Sequence, residues 1–351
     1  MTAGSGRVTQ AQVARLAGVS QAVVSMVLNG SESLRITDET RERVQEVLRS
    51  TGYTVDIMGR RLRGKSNHIL GVFSYESVFP SRVADFYRPF LLGIEEEAEA
   101  QGFDLLLFTS GGRRDGRRRI YDQGTNRLGI ADGSVLLGRH NDPQELARLA
   151  EDRFPFVFVG RRESPAGPIS YVGADYVAAT RQVHEWLWGL GHRRIGLLSV
   201  TEDSEPTLDR RAGYEAAVRH RRRKPLVFLE DDPVAALREA LGQDVTALLV
   251  ESTAMADAVL AAAHAAGVGV PGGLSLVVLG DADPSQQPAA HAVPSTATDW
   301  SMFRIPRHEM GVHAVRALVG LLESPRPRQL LLPCAVHEGA TVAPPPAVRH
   351  R

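Results

Sequence analysis

Two hydrophobic rhythms divide the chain. Through residues 1–52 apolar positions recur at helical spacing, and from His68 onward short apolar runs alternate with helix-like stretches. The first region reads as three short helices. Thr9 followed three residues later by Gln12 has the spacing of a capping box, and Val13 and Leu16 give the first helix an apolar face that stops at Gly18. Ser20 caps a second helix, Gln21 to Leu28, which Asn29-Gly30 ends. Its inward side is Val23, Val24, Val27 and Leu28; its outward side is Gln21, Ala22, Ser25 and Met26. Thr37 caps a third helix, with Asp38 and Glu39 in its first turn, Arg49 in its last and Gly52 beyond, the charge order a helix dipole favours.

The second rhythm predicts an α/β body. Apolar runs at His68–Tyr75, Asp104–Thr109, Gly133–Leu137 and Phe156–Gly160, with a helix over Pro89–Gln101, form one set. The other set has runs at Ile195–Ser199, Leu226–Leu229, Ala247–Val250 and Ser275–Leu279, with helices over Val177–Leu190, Leu208–His220 and Ala254–Ala266. Strands this apolar, separated by helices, imply parallel sheets covered on both faces, and two sets imply two doubly wound lobes.

Composition adds limits. With 351 residues, 43% hydrophobic and 23% charged, the chain has ample material for one small domain and a larger two-lobed one. Its longest apolar runs fall far short of a membrane span, and MTAGSGRVTQ lacks the layout of a secretory signal. A single cysteine, Cys334, forms no internal disulfide, which agrees with a reducing cytoplasm. Net charge is zero, yet residues 1–65 hold ten Arg and Lys against six Asp and Glu. That excess of four lies at one end, as a phosphate-contacting headpiece requires.

A helix ending in Gly18-Val19-Ser20 and followed at once by a capped helix is the layout of a helix-turn-helix. The second helix of such a pair enters the major groove and presents the side chains near its N-terminus to base edges. Here these are Gln21, Ala22 and Met26. Gln pairs with adenine through two hydrogen bonds, and Ala touches a thymine methyl. Thr9, Ser20, Ser25 and Asn29 suit phosphates, which fix register without reading sequence. The competing reading, a plain bundle of three amphipathic helices, does not account for turn, caps and position together.

Residues 8–53 resemble the headpiece of the lactose/galactose repressor (LacI/GalR) family, in Val13-Ala14-Arg15-Leu16-Ala17-Gly18-Val19-Ser20, Val24-Ser25, Val27-Leu28-Asn29 and Gly52-Tyr53. The similarity continues through Gly93-Ile94-Glu95, Leu190-Gly191-His192-Arg193-Arg194-Ile195, Arg210 before Gly213-Tyr214, and Leu332-Pro333. It implies a headpiece over 1–53, a hinge over 54–66, a periplasmic-binding-protein-like core over 67–342 and a tail over 343–351. Lobe 1 is then expected over about 67–163 plus 299–325, and lobe 2 over about 164–298 plus 326–342. Three departures stand out. Met26 occupies a position where the family commonly has a guanine-reading arginine, the loop Gly30–Ile36 is longer by about two residues, and the linker Thr54–Arg63 lacks the usual proline and alanine.

Asp56 can cap a short hinge helix from Ile57 to about Arg63. A segment under roughly 12 residues does not stay helical alone, and Gly59 costs a further ~1 kcal/mol. It should therefore order only beside its dimer mate on DNA. The resemblance makes Leu62 a minor-groove wedge and sets Arg60, Arg61 and Arg63 on phosphates, against the alternative of a flexible basic linker. The resemblance also places an effector cleft between the lobes, with Asp175, Arg210 and Asp281 as polar contacts, Phe86 or Tyr87 as a stacking wall, and Arg161 as a further candidate. Carboxylates and a guanidinium beside an aromatic ring suit a polyhydroxylated ligand. Each has a plainer reading: Arg210 as a solvated helix residue, Asp175 as a helix cap, Asp281 as the start of a turn. Ser252-Thr253 replaces the Asn-Asp of sugar-binding members, and Ile305 replaces a Gln before Pro306; the loss of these polar contacts argues against a common sugar, and the expected effector is left as sugar-like or another polar metabolite.

Other motifs dissolve on inspection. Gly267-Val268-Gly269-Val270-Pro271-Gly272 spells a dinucleotide fingerprint but follows a helix and leads to a strand, the reverse of the required order. His308-Glu309 and His313 are five residues apart at their histidines, roughly 140° around a helix, so no zinc-protease pair forms. The basic runs Arg113–Arg119 and Arg219–Lys224 read as solvated charge. No nucleophile stands with a base. The expectation is a cytoplasmic, non-enzymatic, sequence-specific transcriptional repressor without cofactor or metal. Its expected partners are a palindromic duplex operator, a small-molecule effector and a second copy of itself, as homodimer or tetramer. The same regulator answering to a partner protein or to nothing, and a solute-binding protein, are the alternatives.

Overall fold

A computed structural model describes residues 8–28, 36–53, 66–76, 83–110, 113–114, 117–201, 204–229, 232–281 and 298–346. The chain divides into two compact units, Met1–Asn67 and His68–Arg351. Among the described residues no single helix is long and apolar enough to cross a membrane.

Among its described residues the first unit holds three helices: α1 (Gln10–Ala17), α2 (Gln21–Leu28) and α3 (Asp38–Thr51). Both arms of the capping box form, since Thr9 Oγ1 accepts from the Gln12 N–H at 3.3 Å and Gln12 Oε1 accepts from the Thr9 N–H at 2.7 Å. Gly18 ends α1 in the left-handed region, φ 65°, which L side chains rarely adopt, and this lets the chain turn at once into α2. Ser20 Oγ accepts from Val23 N–H at 3.4 Å, and Thr37 Oγ1 accepts from Thr40 N–H at 3.3 Å. The core is Val13, Ala14, Ala17, Val24, Val27 and Val44. Leu16, expected on the inward face of α1, is 64% exposed. The buried stripe instead runs through Val13, Ala14 and Ala17, whose small side chains suit an eight-residue helix packed against both neighbours. Arg43 fastens α3 to the end of α1, its Nε donating to the Ala17 carbonyl at 3.1 Å. The positions expected for Asn29 and for the hinge residues Arg60, Arg61, Leu62 and Arg63 lie outside the described residues.

Among its described residues the second unit holds two six-stranded sheets. In chain order its elements are β1 (Ile69–Ser74), α4 (Val83–Ala100), β2 (Asp104–Phe108), β3 (Gly133–Leu137), α5 (Pro143–Glu151), β4 (Phe156–Val159) and β5 (Tyr171–Ala174). Then come α6 (Tyr176–Gly189), β6 (Ile195–Ser199), α7 (Glu205–His220), β7 (Val227–Leu229), α8 (Pro233–Gly242), β8 (Ala247–Val250), α9 (Thr253–Ala265) and β9 (Ser275–Val278). The chain finishes with β10 (Met302–Arg304), α10 (Arg307–Glu323), β11 (Gln329–Leu332) and β12 (Ala335–His337). Two short antiparallel strand pairs, Arg113–Arg114 with Arg117–Arg118 and Tyr121–Asp122 with Thr125–Asn126, follow β2. The first sheet runs β11-β5-β4-β3-β1-β2, all parallel; the second runs β7-β6-β8-β9-β10-β12, parallel except for the last pair.

Strand membership corrects the expected lobe boundaries. Tyr171–Ala174 and Gln329–Leu332, assigned to lobe 2, pair with each other in the first sheet, while Met302–Arg304, assigned to lobe 1, pairs with β9 and β12 in the second. The chain therefore changes sheets three times, at Asp175, at Ile305-Pro306 and at Pro333-Cys334. Apolar runs show that a strand exists but not which sheet accepts it. The helix expected from Pro89 starts earlier, at Val83, with Pro89 inside it. Burial of Tyr87 and Phe90 on either side holds that helix although proline contributes no N–H.

Helices α4 and α10 approach backbone to backbone. A Cβ on Gly93 would lie 2.1 Å from the His308 carbonyl oxygen, and one on Gly311 would lie 2.3 Å from that of Phe90. This contact sets Phe86, on α4, against Arg307, at the start of α10. The expected tail boundary at 343 also shifts. Ala343 is tied down on the second sheet, its carbonyl accepting from His192 Nε2 at 2.9 Å and its N–H donating to Ser275 Oγ at 3.1 Å.

Candidate functional site

In the first unit, α2 carries its chemistry on one face. Val24 and Val27 are buried, Gln21 and Ala22 are exposed, and Ser25 and Met26 are half-buried. Thr9 and Ser20 cap α1 and α2 and remain exposed. The first turn of α2 thus presents an amide and a methyl, and its second turn a thioether, on a helix fixed from behind.

In the second unit a cavity of about 310 Å³ opens where the C-terminal ends of the two sheets converge. That is where doubly wound sheets bind ligands, because the loops diverge there. Of the expected residues, Phe86, Tyr87, Arg161, Arg210, Ser252 and Asp281 line it, as does Ile305. Asp175 and Thr253 do not. Asp175 Oδ1 accepts from the Ala178 N–H at 2.9 Å and caps α6, while Thr253 opens α9 behind its cap Ser252.

Charges in the cavity are paired, mostly between lobes. Arg161, beyond β4, meets Asp209 of α7 through two bonds, Nε to Oδ2 at 2.9 Å and a terminal nitrogen to Oδ1 at 2.8 Å. This bond raises the arginine's pKa. Arg162, 4% exposed, donates to the carbonyls of Arg161 at 2.7 Å and Gly138 at 2.9 Å, and lies 3.6 Å from Glu205. Burial lowers its pKa, opposed by Glu205. Arg307 lies over the Phe86 ring at 4.5 Å and meets Asp281 at 3.1 Å. Burial raises the Asp281 carboxyl, with Arg307 pulling the other way.

Arg210 is 9% exposed and is not a solvated helix residue. Its Nε donates to the Leu279 carbonyl at 2.7 Å, its plane covers Tyr176 at 4.4 Å, and one terminal nitrogen lies 3.5 Å from Glu251. Glu251 also accepts from the hydroxyls of Thr207, at 3.0 Å, and Ser199. On the first lobe Tyr87 donates to Glu76 at 2.5 Å, and burial followed by that carboxylate pushes the phenol pKa upward.

Arg162, Arg307, Asp209, Glu251 and Tyr176 were not singled out from the sequence. Arg162 and Glu251 follow strands within three residues, and Arg307 follows β10 at the same distance. That position after a strand is the signal that could have found them. The assembled wall offers guanidinium donors, carboxylate acceptors and aromatic faces from Phe86, Tyr87 and Tyr176, a surface suited to a ligand rich in hydroxyls. Elsewhere on the same unit, His308 Nε2 bonds Glu96 at 2.9 Å across α10 and α4. Among the described residues no group of three or more His, Cys, Asp or Glu side chains could hold a metal ion.

A helix-turn-helix unit followed by two parallel sheets around a cleft defines a class, the DNA-binding transcriptional regulators with a periplasmic-binding-like body. Comparison with known proteins bears this out. The family described as bacterial regulatory proteins, lacI family, matches residues 9–56, and the periplasmic binding protein-like domain matches residues 185–342. The HTH-type transcriptional regulator CelR of Thermobifida fusca is 30% identical over 339 residues, covering 93% of this chain and 96% of its own length. The HTH-type transcriptional regulator AglR of Rhizobium meliloti (strain 1021) is 29% identical over 359 residues, 95% of this chain and 94% of its own. Among solved structures, a transcriptional regulator CelR–cellobiose complex is 27% identical with a TM-score of 0.59, covering 95% of this chain and 100% of that one. A lac repressor dimer bound to operator and the anti-inducer ONPF shares the fold, with a TM-score of 0.66 at 21% identity over 96% of this chain and 100% of that one. The chain belongs to the LacI family and is a DNA-binding transcriptional regulator.

Proposed function

We propose that this regulator represses transcription from a palindromic operator, which it occupies as a two-fold dimer in the cytoplasm, and that a polyhydroxylated effector of the saccharide class controls it through the cavity. The observation that carries the DNA reading is α2 itself: a capped helix after a tight glycine turn, buried at Val24 and Val27 and exposed at Gln21 and Ala22. In this reading Gln21, Ala22 and Met26 meet base edges, while Thr9, Ser20, Ser25 and Asn29 meet phosphates. Two copies are needed because one short helix reads too few bases for genomic specificity. The hinge, residues 54–66, supplies the Leu62 wedge and the phosphate contacts of Arg60, Arg61 and Arg63.

For the effector, the cavity of about 310 Å³ falls within the roughly 300–1,000 Å³ range of small-molecule sites. Its lining combines Arg210, Glu251, Asp209 and Arg161 with the rings of Phe86 and Tyr176. The CelR structure holds cellobiose, which supports a saccharide here. No cofactor enters the reading. The effector can move the operator equilibrium only by its different affinity for two arrangements of the lobes.

Gel shift on the DNA upstream of this protein's own gene tests the first part, and equal affinity for random duplex at physiological salt would sink it. Titrating cello- and malto-oligosaccharides into that complex tests the second. The Arg210→Ala variant should keep operator affinity and lose the saccharide response.

A further inference from the structure

At the N-terminal edge of the second sheet, the edge opposite the cavity, four cations gather where α6 and α7 end. Arg193 precedes β6, and Arg221, Arg223 and Lys224 lie between α7 and β7. No ion pair joins any of these four to a carboxylate among the described residues. The nearest acidic side chains along the two helices are engaged elsewhere, Glu215 with Arg219 at 3.0 Å and Glu185 with Arg181 at 3.8 Å.

The cations surround one indole. The Arg193 guanidinium lies over the Trp188 ring at 4.3 Å and donates to the Trp188 and His192 carbonyls at 2.8 and 3.1 Å; that of Arg221 lies over the same ring at 5.1 Å. Beside them is a crevice of about 20 Å³, bordered by His184, Trp188, Arg193, Arg221, Arg223 and Lys224. His184 is 3% exposed, and its Nδ1 has no hydrogen-bond partner. Burial, then Arg221, holds its pKa down to about 4, so the imidazole is neutral near pH 7.

A buried polar atom without a partner costs free energy, as do like charges held together. An anionic group would relieve both. Guanidiniums already seated on an indole lose little freedom on binding it. The crevice has room for one water-sized group, so a sugar ring or nucleobase does not enter, whereas the end of a carboxylate side chain does. The guanidiniums over Trp188 also occupy the ring surface on which single-stranded nucleic acid would stack its bases. The same exposed cations, at the mouth of the crevice, can hold further carboxylates.

We propose that this edge of the second lobe docks an extended acidic segment of a partner protein, one carboxylate reaching into the crevice toward His184 and its neighbours resting on Arg193, Arg221, Arg223 and Lys224. The site is separate from the effector cavity.

The test uses the full-length protein and a fluorescein-labelled octaglutamate peptide, read by anisotropy at ~50 mM salt, where screening is weak. Saturable binding is expected, with affinity falling about tenfold or more in the Arg221→Glu/Arg223→Glu double variant while operator affinity stays unchanged. The substituted side chains are exposed, and an unaltered circular dichroism melt verifies that the variant folds. Lack of saturable binding, or equal binding by the folded variant, would overturn the proposal. So would displacement of the peptide by inorganic phosphate at the same anion concentration, which would point to a small-anion site. Displacement by random duplex DNA as effective as by unlabelled peptide would likewise overturn it, in favour of a nucleic-acid surface.

Discussion

Arg161 and Asp209 face each other across the cleft in a two-bond geometry, at 2.9 and 2.8 Å, with one residue from each lobe. Arg307 with Asp281 and Arg162 with Glu205 repeat the arrangement, always an arginine of the first lobe and a carboxylate of the second. These three pairs draw the two lobes together across the cleft. Any effector has to exchange these bonds for its own.

The first prediction concerns that attraction. The Arg161 and Asp209 side chains are 21% and 13% exposed, so solvent screens the pair only in part. Charge-assisted bonds of this kind contribute about 1.5–3 kcal/mol, enough to change an open-to-closed ratio roughly tenfold or more. Asp209→Asn keeps the shape and removes the charge. The effector-free variant should show a larger radius of gyration in small-angle scattering, and added salt should move the wild type in the same direction. Scattering curves that superimpose under all these conditions would show that the pair does not hold the lobes.

The second prediction concerns base choice. Met26 lies in the second turn of α2, one turn beyond exposed Ala22, and is half-buried. A thioether has no donor for guanine, whereas arginine reads O6 and N7 together. Met26→Arg should shift the preferred base at one position of each half-site toward guanine by about 1–3 kcal/mol, and Gln21→Ala should flatten the preference at a neighbouring position. Selection from a randomised half-site library measures both. Identical preferred sequences for wild type and Met26→Arg would remove α2 from the role of reader.

Local structure was legible where one residue's chemistry acts on its sequence neighbours. Thr9 and Gln12 form their box, Gly18 takes its left-handed turn, and Val24 and Val27 face inward because short-range geometry decides each. Leu16 was misplaced because an apolar residue at helical spacing can lie at the border of the stripe, and the packing of α2 and α3 selects the smaller Ala14 and Ala17. In the cavity, Arg210, Phe86 and Asp281 were reached through family resemblance, while their partners were not. Arg161 meets a residue 48 positions away, and Glu251 meets Arg210 across 41. Such pairings depend on which strands adjoin, and the three changes of sheet at Asp175, Pro306 and Pro333 leave no periodic trace in the sequence.

The last prediction follows from His184. Its ring is enclosed between Trp188, at 6.3 Å, and Tyr214, at 5.9 Å. Burial, reinforced by Arg221, lowers its pKa from 6.5 to about 4. The unfolded chain therefore binds a proton that the folded chain refuses throughout the window between those values. Stability from the neutral imidazole is complete above pH 6.5 and declines as pH falls toward 4, where about 3 kcal/mol has gone. His184→Phe keeps an aromatic ring there and removes the titration. Urea midpoints measured at pH 7 and pH 4.5 should differ less in the variant than in the wild type, the gap corresponding to a few kcal/mol. Equal acid sensitivity in the two proteins would mean that protons enter elsewhere and that the imidazole reaches water more freely than its 3% exposure implies.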